Sequence, residues 1–218
     1  SKPLEISGLE KTTLIGKNHI DFNKQFCVIA RSTFGLIQQL VYFIHDKKKV
    51  YFEGGYNSYS FMNQTVYSIF YLKQKKNDKI TIDEIKDFDT INELEQFAKD
   101  TKNQDYLNII KFINTYGDNI FEINKKIKEF LVNDKKDADI IFTTTHKSKG
   151  LEYNQVIMAD DFISKKEIVN TKNKLSFQRI NEELNIYYVA ATRAKNVIQL
   201  ADLNLSYTYN ENDETTSH

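Results

Sequence analysis

Short apolar runs that favour β-strands alternate with stretches of helical spacing over much of the sequence. Runs of the first kind cover residues 26–30, 49–52, 139–143, 155–158 and 197–201, and a weaker one covers residues 12–15. Residues 34–44 have apolar side chains at helical spacing, and so do residues 177–194. Because parallel strands joined through helices are buried on both faces, they have unbroken apolar runs of this kind. The sequence therefore predicts an α/β fold with a mainly parallel sheet flanked by helices.

The middle of the chain has a different pattern. Between residues 56 and 137 the apolar positions follow helical spacing, as Val66, Ile69 and Phe70 do in one stretch and Leu107 and Ile110 in another. We predict that residues 56–137 form a helical lobe inserted into a discontinuous α/β domain of residues 1–55 and 138–204. The polar residues 205–218 are expected to be disordered.

Composition limits the classes of partner. The 30 basic residues equal the 30 acidic ones, so net charge provides no general attraction to nucleic acid, and any such contact must be local. The sequence has no apolar run of about 18 residues and no signal peptide at its start, which predicts an intracellular protein without a membrane partner. The single cysteine, Cys27, lies in an apolar run and is expected to be buried, without a catalytic role.

A turn rich in hydrogen-bond donors lies between two predicted strands at residues 143–153. It contains Thr144, His146, Lys147, Lys149 and Gly150. In open α/β sheets ligands bind beyond the carboxyl ends of the strands, so these side chains are well placed to contact phosphate groups. The alternative is a polar connection in which Gly150 serves only the turn.

The helix predicted at residues 177–194 ends in a second polar group. Its early carboxylates, Glu182 and Glu183, and its late cations, Arg193 and Lys195, suit the helix dipole. Arg193 could bind a phosphate bidentately, or it could cap the last carbonyls of the helix. The residues alone leave both explanations open.

Together these two segments resemble two signature motifs of superfamily 1 DNA helicases of the UvrD, Rep and PcrA type. The first has the form T-x-H-x-x-K-G-L-E and the second L-Y-V-A-x-T-R-A. The matching positions are Thr144, His146, Lys149, Gly150, Leu151 and Glu152 in the first, and Tyr188, Val189, Ala190, Thr192, Arg193, Ala194 and Lys195 in the second. The chain thus resembles the C-terminal, second RecA-like domain of these helicases.

Weaker matches extend the resemblance over residues 25–201. Residues 29–32 resemble helicase motif IV, and residues 50–55 resemble the strand and Gly-Gly turn that follow it. Gly54 and Gly55 followed by Phe61, the short helical insertion and residues 159–162 look most like the F-box DNA helicases, although no F-box is visible in this sequence.

The resemblance implies that ATP binds between two RecA-like domains, of which this chain supplies one. Arg31 and Arg193 match cationic positions that stabilise the transferred phosphoryl group, and they are the expected catalytic residues. Glu152 matches a contact to the ATP ribose, with a surface ion pair as its alternative. Gly150 and Lys149 are assigned to the nucleotide as well, although Lys149 could also serve DNA or the domain interface.

DNA-binding residues also follow from the resemblance. Thr144 and His146 match positions that face single-stranded DNA, and Ser32 and Thr33 are expected to bind its backbone phosphates without reading bases. No metal site is expected, because the family holds Mg²⁺ in the other domain. The neighbouring Asp160 is therefore interpreted, like Asp161, as a structural or coupling residue.

The sequence has no G-x-x-x-x-G-K-[ST] loop, and we interpret none of its segments as the acidic DExx motif of such helicases. We therefore expect the chain alone to be inactive. It would need ATP with Mg²⁺ and an N-terminal RecA-like domain of the same protein. The complete protein is expected to be a 3′-to-5′ helicase acting on single-stranded DNA, with repair or recombination proteins as possible partners. It would work in the bacterial cytoplasm and nucleoid, or in the nucleus of a eukaryote.

Two other classes of function compete with the helicase. A degenerate helicase domain could serve as a docking module for DNA or protein, and an upstream sequence without a phosphate-binding loop would favour it. A small-molecule α/β enzyme is disfavoured because no paired nucleophile and base are visible.

Overall fold

A computed structural model describes residues 13–43, 46–59, 61–164, 168 and 174–201. Its strands form one sheet in the order β1-β6-β5-β2-β4-β3, and every neighbouring pair is parallel. The strands are β1 (Leu14–Ile15), β2 (Phe26–Ala30), β3 (Val50–Phe52), β4 (Ile140–Thr144), β5 (Tyr153–Met158) and β6 (Ala194–Gln199). The predicted α/β fold with a parallel sheet is confirmed. The predicted tail at residues 205–218 lies outside the described residues.

Helices lie between β2 and β3, between β3 and β4 and between β5 and β6, whereas a turn joins β4 to β5. Helix α1 (Thr33–Phe43) follows β2, and α7 (Lys174–Ala191) precedes β6. Between β3 and β4 lie α2 (Gln64–Lys73), α3 (Asp83–Lys86), α4 (Ile91–Asp100), α5 (Gln104–Tyr116) and α6 (Asn119–Phe130). Asn63 and Asn103 cap α2 and α5, each accepting a hydrogen bond from the backbone N–H three residues on, at 2.9 and 3.1 Å. In the described part of the chain, no helix is both long and apolar enough to cross a membrane.

The sheet packs against helices on both faces. Alternate residues of β2 point to opposite sides, so Phe26 and Val28 belong to one core while Cys27 and Ile29 belong to the other. The first core is shared with α1 and with the helices inserted between β3 and β4, where Phe34 meets Phe112 edge to face at 6.3 Å. The second core is shared with α7. The division at residues 56 and 137 into two domains stays a prediction.

The boundary between the last helix and the last strand differs from the prediction. The helix predicted to reach residue 194 ends at Ala191, and the strand predicted from residue 197 begins at Ala194. The reason is pairing with β5: the Tyr153 N–H donates to the Arg193 carbonyl at 2.8 Å, and Ala194 lies opposite Tyr153. Arg193 therefore occupies the turn between helix and strand, directly before β6.

Candidate functional site

The residues singled out from the sequence form two groups at opposite edges of the sheet. Because the strands are parallel, their carboxyl ends share one edge, where Arg31 follows β2 and Thr144 ends β4. Their amino ends share the other edge, where Glu152 precedes β5 and Arg193 precedes β6. The five residue steps from the first to the last residue of β5 correspond to about 16 Å. We call these groups the carboxyl-edge group and the amino-edge group.

At the carboxyl edge the side chain of Arg31 is bound by a carboxylate of α7. Its Nε and Nη2 atoms donate to Oε2 and Oε1 of Glu183 at 2.8 and 2.9 Å. The Arg31 side chain is 39% exposed and that of Glu183 is 21% exposed. The hydrogen bond to Glu183 raises the pKa of Arg31. This two-point contact is the strong, geometrically specific form of an ion pair, and it joins the end of β2 to α7.

Asp161 fixes the backbone beside Arg31. Its carboxylate accepts hydrogen bonds from the backbone N–H groups of Arg31 and Ser32, both at 2.8 Å, and from the Ser32 hydroxyl at 2.7 Å. Burial raises the pKa of Asp161, and the hydrogen bonds oppose that rise. Among the described residues, no group of three or more histidine, cysteine, aspartate or glutamate side chains is placed to hold a metal ion.

A cleft of about 1530 Å³ opens at the carboxyl edge. Strand ends, α7 and the amino-terminal parts of α1, α2 and α5 line it. Its charged side chains are three cations, Arg31, Lys111 and Arg179, and four carboxylates, Asp105, Asp160, Asp161 and Glu183. Many of its other lining side chains carry hydroxyl or amide groups: Ser32, Thr33, Asn63, Thr65, Asn103 and Thr144. These groups match the hydrogen-bonding needs of phosphate and sugar oxygens better than those of an apolar ligand.

The turn after β4 crosses from this cleft towards the amino edge. The Thr145 N–H donates to the Ala30 carbonyl at 2.9 Å, which ties the start of the turn to β2. His146 and Lys149 are exposed, while Lys147 donates to Ser58 at 3.0 Å. Gly150 has a φ of +80°, a conformation that other residues rarely adopt, so the turn requires a glycine there.

At the amino edge Arg193 caps α7. Its Nε donates to the Val189 carbonyl at 2.9 Å, Nη1 to the Leu151 carbonyl at 3.3 Å and Nη2 to the Thr192 hydroxyl at 3.0 Å. Three of the five guanidinium N–H groups are thus engaged, which leaves two for a ligand. Beside it, Glu152 pairs with Lys195 at 3.1 Å, with side chains 59% and 51% exposed. A contact that exposed is weak and easily exchanged for a ligand. The edge therefore offers N–H donors, a cation and a carboxylate, which fit the phosphates and ribose of a nucleotide.

The structure does not bring Arg31 and Arg193 together. Their partners on α7, Glu183 and Val189, lie six residues apart, which is about 9 Å along a helix. The two arginines also belong to opposite edges of the sheet, since one follows a strand and the other precedes one. The expectation that both act on one γ-phosphate stays a prediction. In the structure Arg31 lies with Ser32, Thr33 and Thr144 at the carboxyl edge, and Arg193 lies with Glu152 at the amino edge.

Comparison with known proteins decides the family. A family model described as the UvrD-like helicase C-terminal domain matches residues 9–207. The chain belongs to this family. The match includes every strand of the sheet and both edge groups, so the resemblance predicted from the two motifs is confirmed.

Two relatives of this UvrD-like domain are F-box DNA helicases. F-box DNA helicase protein 1 of Schizosaccharomyces pombe is 33% identical over 125 residues, which are 54% of this chain and 14% of the relative. F-box DNA helicase 1 of Gallus gallus is 32% identical over 97 residues, which are 42% of this chain and 10% of the relative. The chain thus covers only a small part of these relatives. No solved structure matches it significantly.

Sequence reasoning gave no site role to two residues of this UvrD-like domain. Glu183 was read only as a carboxylate that suits the helix dipole, yet it binds the guanidinium of Arg31. Gly35 lies in the first turn of α1, where a Cβ atom would come within 2.0 Å of the Asp161 carboxylate. A glycine inside a helical pattern was the available signal of such a close approach.

Proposed function

We propose that this domain is the C-terminal motor half of an ATP-dependent helicase that moves 3′ to 5′ on single-stranded DNA in repair or recombination. The observation that carries the proposal is the separation of the motif residues into two groups at opposite edges of the sheet. One group suits a nucleic-acid backbone, and the other suits a nucleotide. Helix α7 contacts both, through Glu183 at one edge and Val189 at the other.

In this proposal the strand lies along the cleft at the carboxyl edge. Thr33 and Thr144 line the cleft, and the exposed His146 follows in the next turn. Ser32 contributes at the same place, although its hydroxyl already donates to Asp161. Hydroxyl and amide groups bind phosphate and sugar without distinguishing bases, as a translocating protein requires. Neither the whole chain nor the cleft has an excess of positive charge, since Asp105, Asp160, Asp161 and Glu183 line the cleft beside Arg31, Lys111 and Arg179. Attraction to a strand would therefore come from direct contacts of the individual cations.

The nucleotide would bind at the amino edge, between this domain and an N-terminal RecA-like domain. Arg193 would direct its two remaining N–H groups to the transferred phosphoryl group and stabilise the charge that develops there. Glu152 would exchange Lys195 for a ribose hydroxyl, while Lys149 and the Gly150 turn would border the phosphates. Mg²⁺ would be held by the N-terminal domain, so this chain alone would not hydrolyse ATP.

A docking module for DNA or protein is the second candidate. One observation favours it: Arg31, Arg193 and Glu152 all have partners within the chain. In a module without catalysis, these three contacts would be structural, and no phosphate would replace them.

Nucleotide hydrolysis by the full-length protein separates the two candidates. We expect single-stranded DNA to stimulate ATP hydrolysis, because the strand and the nucleotide bind the same two RecA-like domains. Duplexes with a 3′ single-stranded tail should be unwound and matched duplexes with a 5′ tail should not. DNA binding without stimulated hydrolysis would instead support the docking module, and unwinding from a 5′ tail would contradict the proposed polarity.

A further inference from the structure

The guanidinium of Arg31 faces the cleft but is bound by a carboxylate of the same chain. We propose that Glu183 is a positioning residue that holds Arg31 in reserve until a phosphate of a bound single strand replaces the carboxylate. This inference rests on the proposed function, since it needs a nucleic-acid strand in the cleft. It assigns Glu183 a role that neither helicase motif contains.

A phosphate can replace the Glu183 carboxylate without loss of hydrogen bonds to Arg31. A phosphate offers two oxygens in nearly the same arrangement as a carboxylate, so both groups bind the planar fork of an arginine in the same way. Glu183 and Arg31 make two hydrogen bonds, at 2.8 and 2.9 Å, and Arg31 would make the same two with a phosphate. The two side chains are 39% and 21% exposed, so a strand can reach the guanidinium, and a phosphate that offers the same two-point contact can replace the carboxylate.

The backbone around Arg31 is held independently of Glu183. Asp161 accepts hydrogen bonds from the N–H groups of Arg31 and Ser32, and these contacts do not involve the guanidinium. The exchange therefore needs only a rotation of the Arg31 side chain, while the end of β2 stays in place. A side chain on a fixed backbone can change partners without refolding the loop.

Glu183 also limits binding to the ligand that can displace it. Glu183 and Asp161 both line the cleft with Arg31, so the carboxyl edge carries negative charge as well as positive. An isolated anion must replace Glu183 alone, whereas a polynucleotide gains further contacts along the cleft. The arrangement therefore favours a strand over a single small anion.

Affinity for a fluorescent oligothymidine of about 20 nucleotides tests the role of Glu183 in this 218-residue chain. We expect Glu183→Gln to bind roughly two- to fivefold more tightly, the range expected for removing one partly exposed competing ion pair. The dependence of log K on log salt should steepen by up to about 0.7, because in the wild type the exchange frees a carboxylate whose charge offsets the one phosphate that Arg31 neutralises. Arg31→Gln should weaken binding.

Two further variants separate competition from general electrostatics. Glu182→Gln removes the same charge one residue away, on a side chain that contacts Gln178 instead of Arg31, and should change affinity little. In the double variant Arg31→Gln/Glu183→Gln the gain in affinity from Glu183→Gln should vanish, because the guanidinium that Glu183 occupies is no longer present. Thermal unfolding of each variant checks that it is folded.

Three binding results would contradict the proposed role of Glu183. If the wild type binds and Glu183→Gln leaves affinity unchanged or lowers it, Glu183 does not compete with phosphate and the inference is wrong. A gain that persists without Arg31 would reduce the effect to general electrostatics and overturn it as well. If neither the wild type nor Glu183→Gln binds the oligonucleotide, this domain has no strand site of its own and the inference is wrong, whereas DNA-stimulated hydrolysis by the full-length protein still decides the proposed function.

Discussion

Replacement of Arg193 by alanine is expected to lower DNA-stimulated ATP turnover of the full-length protein by about a thousandfold or more. That is the usual consequence of removing a cation that acts on a transferred phosphoryl group in a site closed to water. DNA affinity should stay near that of the wild type, because Arg193 lies at the amino edge and the cleft opens at the carboxyl edge. Steady-state hydrolysis and oligonucleotide binding, measured on the same preparations, check the two halves of this expectation.

Two variants serve as controls for Arg193→Ala. Arg193→Lys keeps the charge but not the planar fork, and it should lose less turnover than alanine does. Arg31→Ala should have the opposite effect to Arg193→Ala, because it should lower DNA affinity more than ATP turnover. The capping explanation would replace the catalytic one if Arg193→Ala lowered stability while turnover per folded molecule remained unchanged, since Arg193 also binds the carbonyls of Val189 and Leu151.

Replacement of Gly35 by alanine is expected to cost about 3 kcal/mol or more of the free energy of unfolding. The added Cβ atom would lie 2.0 Å from Oδ2 and 2.2 Å from Cγ of Asp161, so the carboxylate must move. Moving it breaks its hydrogen bonds to Arg31 and Ser32, and each buried donor left without a partner costs about 1–3 kcal/mol. Urea unfolding at equilibrium measures the loss.

A double-mutant cycle shows whether the Gly35 effect passes through Asp161. Asp161→Ala removes the carboxylate that the new Cβ atom would meet, so adding Gly35→Ala to it should cost far less than in the wild type. Alanine is also the better helix former by about 1 kcal/mol. Equal stability of Gly35→Ala and wild type would therefore mean that α1 accommodates the contact, and the proposed constraint would not exist.

Much of the fold could be predicted because its strands are buried on both faces. The unbroken apolar runs of β2 and β4 follow directly from that burial, and their parallel arrangement follows from the helices between them. The sequence predicts strand β6 three residues too late because its second and third residues, Lys195 and Asn196, are polar and exposed. That error assigned Arg193 to a helix and hid its position at the amino edge.

Only the site residues that lie within the local sequence motifs could be predicted. Thr144, Glu152 and Arg193 were found because they lie in dense local patterns. The pairing of Arg31 with Glu183 joins residues 152 positions apart, and no local pattern contains that information. Arg31 pairs with Glu183 only because α7 packs across the sheet, and that packing depends on the whole fold.

The helices inserted between β3 and β4 share one core with the sheet, as the packing of Phe34 on Phe112 illustrates. A segment whose apolar surface is completed by the sheet cannot swing as an independent lobe without exposing that surface to water. Heating should therefore melt α2, α5 and the sheet in one calorimetric transition. Excising the segment should leave an insoluble remnant, because the face of the sheet that it shares with α1 would lose much of its cover.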